Sequence, residues 1–240
     1  MSDEVVTSAR AALREALVAR QLDEQLTHRY PVGRRLRVLD AGSGRGARAL
    51  RLARAGHEVT GVEPDPELLA GSHTALAAEP AGIRDRVRFL AGDGRETGAH
   101  FLPGAFDVVL AHDLPLGEPD ALLAGLARML APGGLLSLVV PNVDAAALRP
   151  GMTGDLDAVR AALEPGPAER AGRLADLTAT LSGIGAPLAA WYGVHVFAPP
   201  PEVPGAPFSP ELLELEDRAG RTEPYRRAAT HLHLCGLRRG

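Results

Sequence analysis

Lysine is absent from this chain, so arginine is its only permanently charged basic residue. All 26 basic residues are arginine, and 30 acidic residues leave a formal net charge of −4 at pH 7. A negative net charge gives no overall attraction to nucleic acid or to an anionic membrane. Arginine suits phosphate contacts, but a composition without lysine does not by itself predict a phosphate-binding surface.

Cysteine is almost as rare, because Cys235 is the only one. A single cysteine excludes an intramolecular disulfide and any metal site built from several cysteines. It lies in the apolar stretch HLHLCGL, which is typical of a buried and unreactive thiol. In the same stretch His231 and His233 share one face of a predicted strand, but no motif supplies a third ligand, so we predict no metal site.

Long apolar runs are missing as well. The longest lie around residues 133–141 and are far shorter than the roughly 20 residues that span a bilayer. The first residues, MSDEVVTSARAALREAL, begin with an acidic stretch and lack the cationic and apolar regions of a signal sequence. The sequence therefore predicts a cytoplasmic protein that does not engage a membrane.

Strands and helices alternate regularly through the first part of the chain. Apolar residues recur at helical spacing over residues 5–28, and short apolar runs separated by helix or turn signals follow. The predicted strands lie at 36–41, 57–63, 85–93, 105–113 and 133–141. This alternation predicts a doubly wound parallel α/β sheet that binds its ligand at the carboxyl ends of the strands.

The residues after 142 are less regular. We predict a helix over 168–185, a sixth strand over 188–197 and a seventh strand over 230–237. The proline-rich stretch 198–210 is interpreted as a stiff surface connection or a lid. We find no repeat or linker and predict a single domain, with an N-terminal helix in 1–35, a cofactor-binding core in 36–141 and a substrate-side part in 142–240.

A glycine-rich loop follows the first strand, in the stretch VLDAGSGRGARAL. A phosphate-binding P-loop requires lysine and then serine or threonine after its last glycine, but Ala47 and Arg48 follow Gly46 here. A dinucleotide-binding loop has the spacing G-x-G-x-x-G, whereas Gly42, Gly44 and Gly46 form G-x-G-x-G. Taken alone, this pattern is also compatible with a tight strand-to-helix turn that binds nothing.

Three further features follow the loop along the chain. Glu63 ends the second strand, where an acid can accept hydrogen bonds from both ribose hydroxyls of an adenosine. An acid that contacts only solvent at this position would look the same in the sequence. Asp93, in the stretch AGDG, ends the third strand within reach of an adenine amino group. Finally, residues 130–138, LAPGGLLSL, are predicted to be a helix exit into the fifth strand.

In this order and at this spacing, the four features resemble the class I S-adenosylmethionine-dependent methyltransferases. The resemblance implies a Rossmann-like seven-stranded sheet that is mostly parallel, with an antiparallel last strand beside the fifth. It also implies S-adenosylmethionine as the cofactor, whose methionine carboxylate suits backbone N–H groups and whose ammonium suits an acid. The core residues that it assigns to the cofactor are Asp40, Gly42, Ser43, Gly44, Gly46, Glu63, Pro64, Asp93 and Gly94.

A closer resemblance extends from about Arg14 to Cys235. The stretches SLVVPNVDAAALRPGMTGDLDAV, YGVHVF and ELLELEDRAGRTEPYRRAATHLHLCG are similar to the bacterial tRNA 5-carboxymethoxyuridine methyltransferases. Those enzymes methylate the carboxylate of a modified wobble uridine. This resemblance implies that Arg14 pairs with the methionine carboxylate of the cofactor, and that His112, at the end of the fourth strand, lies beside the methyl group.

Two departures from that family concern the acceptor. Its run of consecutive lysines is absent, and residues 150–175 carry scattered arginines and several acids instead. Neutralising RNA phosphates requires clustered positive charge. An arginine of the family is replaced by His195. The sequence therefore leaves the acceptor open between a modified tRNA and a small molecule, such as a natural-product acid or a phenol.

The predicted methyl-transfer site contains His112, which would shape the pocket, with Asp113 beside it and Tyr225 orienting the acceptor. A carboxylate acceptor, with a pKa of about 4, needs no general base, whereas a hydroxyl does. The further candidates for a base are His195, His231 and His233. Tyr192 is a further candidate for orienting the acceptor. The candidates for holding an anionic acceptor are Arg149, Arg221 and Arg226.

Each of these residues also has an ordinary structural interpretation as a packed or solvated side chain. A non-catalytic nucleotide-binding module on the same fold is the alternative from a different functional class. The sequence predicts no oligomeric state.

Overall fold

The structure is a computed structural model that describes residues 3–112, 119–166, 172–197 and 209–240. Its strands are β1 (Arg37–Ala41), β2 (Glu58–Glu63), β3 (Val87–Ala91), β4 (Phe106–His112), β5 (Leu130–Pro141), β6 (Leu188–Val194) and β7 (His231–Leu237). The α-helices in this part of the chain are α1 (Asp3–Arg29), α2 (Ala47–Arg54), α3 (Pro66–Ala77), α4 (Ala81–Arg84), α5 (Thr97–His100), α6 (Pro119–Met129), α7 (Leu148–Thr153), α8 (Leu156–Leu163), α9 (Leu174–Gly183) and α10 (Pro210–Ala219).

The strands form one sheet of seven in the order β3-β2-β1-β4-β5-β7-β6. Strands β1 to β5 pair in parallel. Strand β7 is antiparallel to both of its neighbours, since Gly133 N donates to Arg238 O and Leu237 N donates to Pro187 O. The predicted fold class, a mostly parallel sheet with an antiparallel last strand beside the fifth, is confirmed.

The central strands are buried along almost their whole length. Leu39 on β1, Val109 on β4 and Leu136 on β5 are fully inaccessible to solvent. Parallel strands covered on both faces have continuous apolar sequences, which is why these runs could be recognised as strands. Because β1, β2, β3 and β4 run parallel to one another, their carboxyl ends lie at the same edge of the sheet.

Contacts within the chain divide it into two units. The first unit comprises Met1–Pro31, Pro141–Leu174 and Trp191–His233, and the second comprises Val32–Val140, Ala175–Ala190 and Leu234–Gly240. The single domain expected from the sequence stays a prediction. None of the helices in the described ranges has the length and hydropathy of a membrane span.

The structure corrects the predicted helix exit before the fifth strand. Helix α6 ends at Met129 and β5 begins at Leu130, so the Pro-Gly-Gly stretch lies within the strand. The pairing of β5 with β4 shifts between Phe106–Leu130 and Val108–Leu135, which inserts extra residues on β5. Gly133, within this stretch, has a φ of 75°, a left-handed conformation that favours glycine.

Two other boundaries also differ from the sequence-based expectation. The helix expected over 168–185 begins at Leu174 in the structure, and residues 167–171 lie outside the described residues. Strand β6 ends at Val194 rather than at residue 197, because His195 leaves the extended conformation with a φ of 61°. Most of the expected proline-rich connection, residues 198–208, also lies outside the described residues.

Replacing Gly220 with alanine is expected to lower the free energy of unfolding by about 3 kcal/mol. Within the first unit, Gly193 N donates to Gly220 O at 2.8 Å, and a Cβ on Gly220 would lie 2.2 Å from Gly193 O. A backbone oxygen cannot move aside as a flexible side chain can. Urea denaturation checks this, with Gly125→Ala as the control, since a Cβ on Gly125 meets nothing within 4 Å. Equal stability of the two variants would contradict the prediction.

Candidate functional site

The glycine loop connects β1 to α2 and contains three left-handed glycines. The φ angles of Gly42, Gly44 and Gly46 are 73°, 57° and 82°. Gly46 also lacks space for a side chain, because a Cβ there would lie 2.6 Å from the Cζ atom of Phe89. The sequence-predicted strand-to-helix turn is therefore present, and its glycines are required by conformation and, at Gly46, by packing.

Glu63 links this loop to the one that follows β2. Its side chain is 5% exposed, and its carboxylate accepts hydrogen bonds from Gly44 N at 2.7 Å and from Asp65 N at 3.0 Å. Each carboxylate oxygen has two lone pairs, so both can accept a further hydrogen bond. Glu63 is therefore held in place while retaining the capacity to accept the two hydroxyls of a ribose. Pro64 follows it on the exposed surface.

Asp40 is bound by an arginine that sequence reasoning did not single out. Arg48 donates to Asp40 Oδ1 from Nη2 at 2.7 Å and from Nε at 3.0 Å, and it also donates to Gly42 O at 3.2 Å. Asp40 is fully buried. This ion pair ties the end of β1 to the first turn of α2, so Asp40 has a structural role besides the predicted one.

The hydrogen bonds within the loop show which ligand groups it suits. The amides of Gly42 and Ser43 donate to Val62 O, that of Gly46 donates to Ser43 O, and that of Gly44 donates to Glu63. The hydroxyl of Ser43 is buried and has no partner among the described residues. A buried hydroxyl without a partner is unusual in a folded protein. The Ser43 hydroxyl is therefore available to bond to a ligand at this loop.

The loop after β3 is joined to the same edge of the sheet. Gly92 N donates to Glu63 O at 3.2 Å, and Asp93 O accepts from Glu96 N. Asp93 is half-buried and Gly94 is buried. Thr97, which the sequence analysis did not identify, is fully buried on α5, and its hydroxyl has no partner within the described ranges. Its only sequence signal is a position four residues after Asp93.

His112 lies at the carboxyl end of β4, as predicted. It is 5% exposed, and its Nε2 atom lies 2.8 Å from the Oγ atom of Ser137 on β5, which is fully buried. This hydrogen bond fixes the orientation of the imidazole. Ser137 was missed by sequence reasoning, although a lone serine inside the apolar run LLSLVV was a usable signal. Asp113 lies outside the described residues.

The other predicted site residues belong to the first unit, whereas the glycine loop, Glu63, Asp93 and His112 belong to the second. Arg14 is half-buried on α1. Tyr225 is 52% exposed, and its ring centroid lies 6.3 Å from that of Phe197. The predicted contact of Arg14 with the cofactor and that of Tyr225 with the acceptor stay predictions.

Three of the remaining candidates have clear structural partners within the first unit. Arg221 donates to Asp217 Oδ1 at 2.9 Å and lies over the ring of Tyr192. Arg226 donates to Glu223 and stacks 3.8 Å from the centroid of Trp191. The hydroxyl of Tyr192 bonds to Glu24 at 3.3 Å and also to Gln25. These contacts favour the structural interpretation of Arg221, Arg226 and Tyr192.

Two of the histidines proposed as alternative bases, His195 and His233, are poorly suited to that role at neutral pH. Burial lowers the pKa of His233 to about 3, and its Nδ1 atom lies 2.9 Å from Gln21 Oε1. Burial and neighbouring positive charges, of which Arg10 contributes most, lower the pKa of His195 to about 3. General bases work best with a pKa near the working pH. His231 is half-buried, and its Nδ1 atom lies 3.1 Å from Thr230 Oγ1.

Comparisons with known proteins agree with the fold and with the order of the sequence motifs. Residues 38–134 match the methyltransferase domain family. Together with the sequence motifs, this match supports a class I S-adenosylmethionine-dependent methyltransferase, as the resemblance in the sequence predicted. Over 97% of its length, it is 28% identical to the tRNA 5-carboxymethoxyuridine methyltransferase of Escherichia coli (strain K12), of which it covers 91%.

Other relatives are similar over a shorter part of the chain or in fold alone. Over 49% of its length, the chain is 32% identical to the ubiquinone biosynthesis O-methyltransferase of Xanthomonas campestris pv. campestris (strain B100), of which it covers 48%. Among solved structures, it resembles magnesium protoporphyrin IX methyltransferase from Synechocystis PCC 6803 with bound SAH. That match has a TM-score of 0.59 and 19% identity and covers 95% of this chain and 83% of the other. This last likeness concerns the fold.

Proposed function

We propose that the chain transfers a methyl group from S-adenosylmethionine to a carboxylate oxygen of a modified uridine in tRNA. One observation carries this proposal: the similarity to the E. coli tRNA 5-carboxymethoxyuridine methyltransferase spans 97% of the chain. The match to the methyltransferase domain family ends at residue 134, so the similarity includes the segments where acceptor specificity is expected. A cofactor-binding core alone would not produce similarity over the C-terminal part.

The residues of the second unit provide suitable groups for most of the cofactor. Glu63 would accept the ribose hydroxyls, Asp93 and Gly94 would contact the adenine, and Ser43 in the glycine loop would bond to the methionine end. Arg14, in the first unit, is proposed to pair with the methionine carboxylate, as the resemblance implies. The bound cofactor supplies an electrophilic methyl group on a positively charged sulfur.

The proposed reaction requires little from the protein beyond positioning the cofactor and the acceptor. A carboxylate is ionised at neutral pH, and the departing thioether is neutral, so no proton has to move. Positioning and exclusion of water can then supply much of the rate enhancement. His112, fixed by its hydrogen bond to Ser137, would shape the space around the methyl group rather than exchange a proton. The low pKa of His195 and of His233 is compatible with such a reaction.

A small organic acid or phenol is the second candidate acceptor, and the charge of the segment after β5 favours it. In the described part of residues 150–175, Arg160 pairs with Asp157 at 2.9 Å, and Arg173 lies 3.8 Å from Asp144. Arginines that are paired with aspartates contribute little net attraction to RNA phosphates. The partial similarity to a ubiquinone biosynthesis O-methyltransferase is compatible with this alternative.

We expect the purified protein to release S-adenosylhomocysteine when it is given tRNA that carries 5-carboxymethoxyuridine, and not with tRNA that lacks this modification. The proposed reaction requires the carboxylate, so an unmodified tRNA is the matched control. Mass spectrometry of tRNA nucleosides from a deletion strain checks the same point in cells. An unchanged methyl-ester profile together with turnover of free acids or phenols would establish the small-molecule alternative. No turnover with any acceptor would indicate a non-catalytic module.

A further inference from the structure

His195 occupies a backbone conformation that side chains rarely adopt, and three elements hold it there. Its φ is 61°, the one positive value found for a residue other than glycine in the described ranges. Its carbonyl accepts hydrogen bonds from Thr230 N at 3.1 Å and from Arg149 Nη2 at 3.3 Å. The next two amides, of Val196 and Phe197, donate to the buried carboxylate of Glu216 at 2.6 and 2.9 Å. Strain maintained in this way is characteristic of functional sites.

The imidazole of His195 lacks the partners that a buried ring normally has. The residue is 1% exposed, and neither ring nitrogen has a hydrogen-bond partner among the described residues. A neutral imidazole carries one donor and one acceptor, and leaving both unsatisfied in the interior is costly. An additional group that bonds to this ring would remove the cost.

The surroundings of this ring indicate the charge of the missing group. Besides burial, the groups that lower its pKa are Arg10 and Arg14 on α1, Arg149 on α7 and His231 on β7, whose ring centroid lies 6.2 Å away. Burial, Arg149 and Arg14 also lower the pKa of Arg10, and Glu216 acts in the opposite direction. Positive charges that disfavour one another in a partly buried site are stabilised by a bound anion.

The positively charged groups around His195 form a cationic cluster, which we define as Arg10, Arg14, Arg149, His195 and His231. One of them, Arg149, lines a cavity. Its volume is about 410 Å³, within the size range of small-molecule sites. Arg149 and Thr230, the two residues that bond to the His195 carbonyl, both line it. Most of the remaining wall is apolar and is formed by Pro141, Val143, Ala145, Ala146, Ala161, Ala162 and Pro165.

The other polar residue of the wall is engaged with the protein itself. Asn142 donates from Nδ2 to Ala229 O at 2.8 Å and to Arg227 O at 2.9 Å. Arg149 is therefore the charged group of a wall that is otherwise aliphatic apart from Asn142 and Thr230. A cavity of this kind suits a compact organic group with one anionic end and an uncharged body.

We propose that this cavity binds the carboxylate-bearing part of the methyl acceptor, with the carboxylate against Arg149 and the uncharged body against the alanine and proline wall. The role as acceptor site rests on the proposed function, but the binding of an organic carboxylate does not. Arg14 is left to the cofactor carboxylate, as the resemblance implies. A carboxylated base of an RNA and a free organic acid share this chemistry, and methylation of tRNA distinguishes them in the test that follows.

Sodium benzoate, titrated into protein labelled with ¹⁵N-histidine, tests the proposal without relying on turnover. Benzoate combines a carboxylate with a compact apolar body. We expect a saturable shift of the His195 imidazole signals, assigned with the His195→Asn variant, and a rise in the pKa of that ring. Benzamide, which has the same shape but no charge, should not bind. Equal binding of benzamide would overturn the proposal.

Arg149→Met should weaken benzoate binding about tenfold or more, because a hydrogen bond to a charged group is lost while the length of the side chain is kept. Arg149→Lys should retain part of the affinity, and it decides the matter if the Met variant fails to fold. Arg160→Met is the matched control, since Arg160 is exposed and pairs with Asp157. An equal loss in both Met variants would overturn the proposal.

Two competing ligands complete the test. If inorganic phosphate shifts the ring as strongly as benzoate does, the site is a phosphate site and the proposal is wrong. If S-adenosylhomocysteine competes with benzoate, the cluster belongs to the cofactor and the proposal is equally wrong. Benzoate binding with no methylation of tRNA would leave the proposal standing with a free acid as acceptor, and the proposed function alone would fail. If the protein methylates tRNA but does not bind benzoate, the proposed role of the cavity is wrong and the proposed function stands.

Discussion

Replacing Glu63 with alanine is expected to weaken the binding of S-adenosylhomocysteine by about 100-fold, since two hydrogen bonds from the ribose hydroxyls to a charged acceptor are lost. The variant also removes the acceptor of the Gly44 and Asp65 amides, so the loops after β1 and β2 lose their connection. Both effects act in the same direction on affinity. Isothermal titration calorimetry with S-adenosylhomocysteine measures the change.

Glu58→Ala is the matched control for this variant. Glu58 begins the same strand, but its side chain is 54% exposed and lies 3.5 Å from Arg35. Removing it should leave the affinity within about twofold, because exposed ion pairs contribute little. If Glu63→Ala binds S-adenosylhomocysteine as tightly as the unaltered protein does, while the control is also unchanged, the proposed ribose contact does not exist.

Acidification is expected to destabilise the protein strongly, by about 4 kcal/mol between pH 7.5 and pH 5. Burial lowers the pKa of His195 and of His233 in the folded state to about 3, against an ordinary value of 6.5. The unfolded chain therefore takes up two protons that the folded chain does not. The stability that these residues contribute is complete above about pH 6.5 and is lost progressively as the pH falls toward 3.

Urea denaturation at several pH values measures this dependence. The His233→Gln variant should show about half of it, because one of the two buried imidazoles is removed. His100→Gln is the control and should keep the full dependence, since His100 is exposed. A free energy of unfolding that is the same at pH 5 and at pH 7.5 would show that these two histidines are not held neutral. A carboxylate bound beside His195 should reduce the loss of stability at pH 5, because it favours the protonated imidazole.

The strands and the cofactor motifs were predictable because their signals are local. Buried parallel strands require continuous apolar runs, so β1 to β5 could be placed to within a few residues. The glycines at 42, 44 and 46 and the acid at 63 stand at strand ends, where the fold itself collects ligand-binding groups. The Pro-Gly-Gly stretch was misplaced, because a bulge inside β5 and a helix exit use the same residue types.

The cationic cluster could not be derived in this way, because its members come from distant parts of the chain. Arg10, Arg149, His195 and His231 lie on separate elements, and each alone is ordinary as a sequence position. In the sequence, His195 was recognised as the loss of a family arginine and as a candidate base, but nothing there indicated that the guanidinium of Arg149 donates to its carbonyl. Only the folded chain shows this arrangement.

The sequence by itself predicted the fold class, which is confirmed, and it predicted the methyl donor and the positions proposed to bind it. Each of these predictions depends on residues close together in the chain or on strand ends that the fold must align. The tertiary structure decided the rest. It showed which hydroxyls and imidazoles are buried without a partner, which arginines are already paired and where a cavity meets positive charge. These properties depend on packing between distant segments, and no local pattern in the sequence records them.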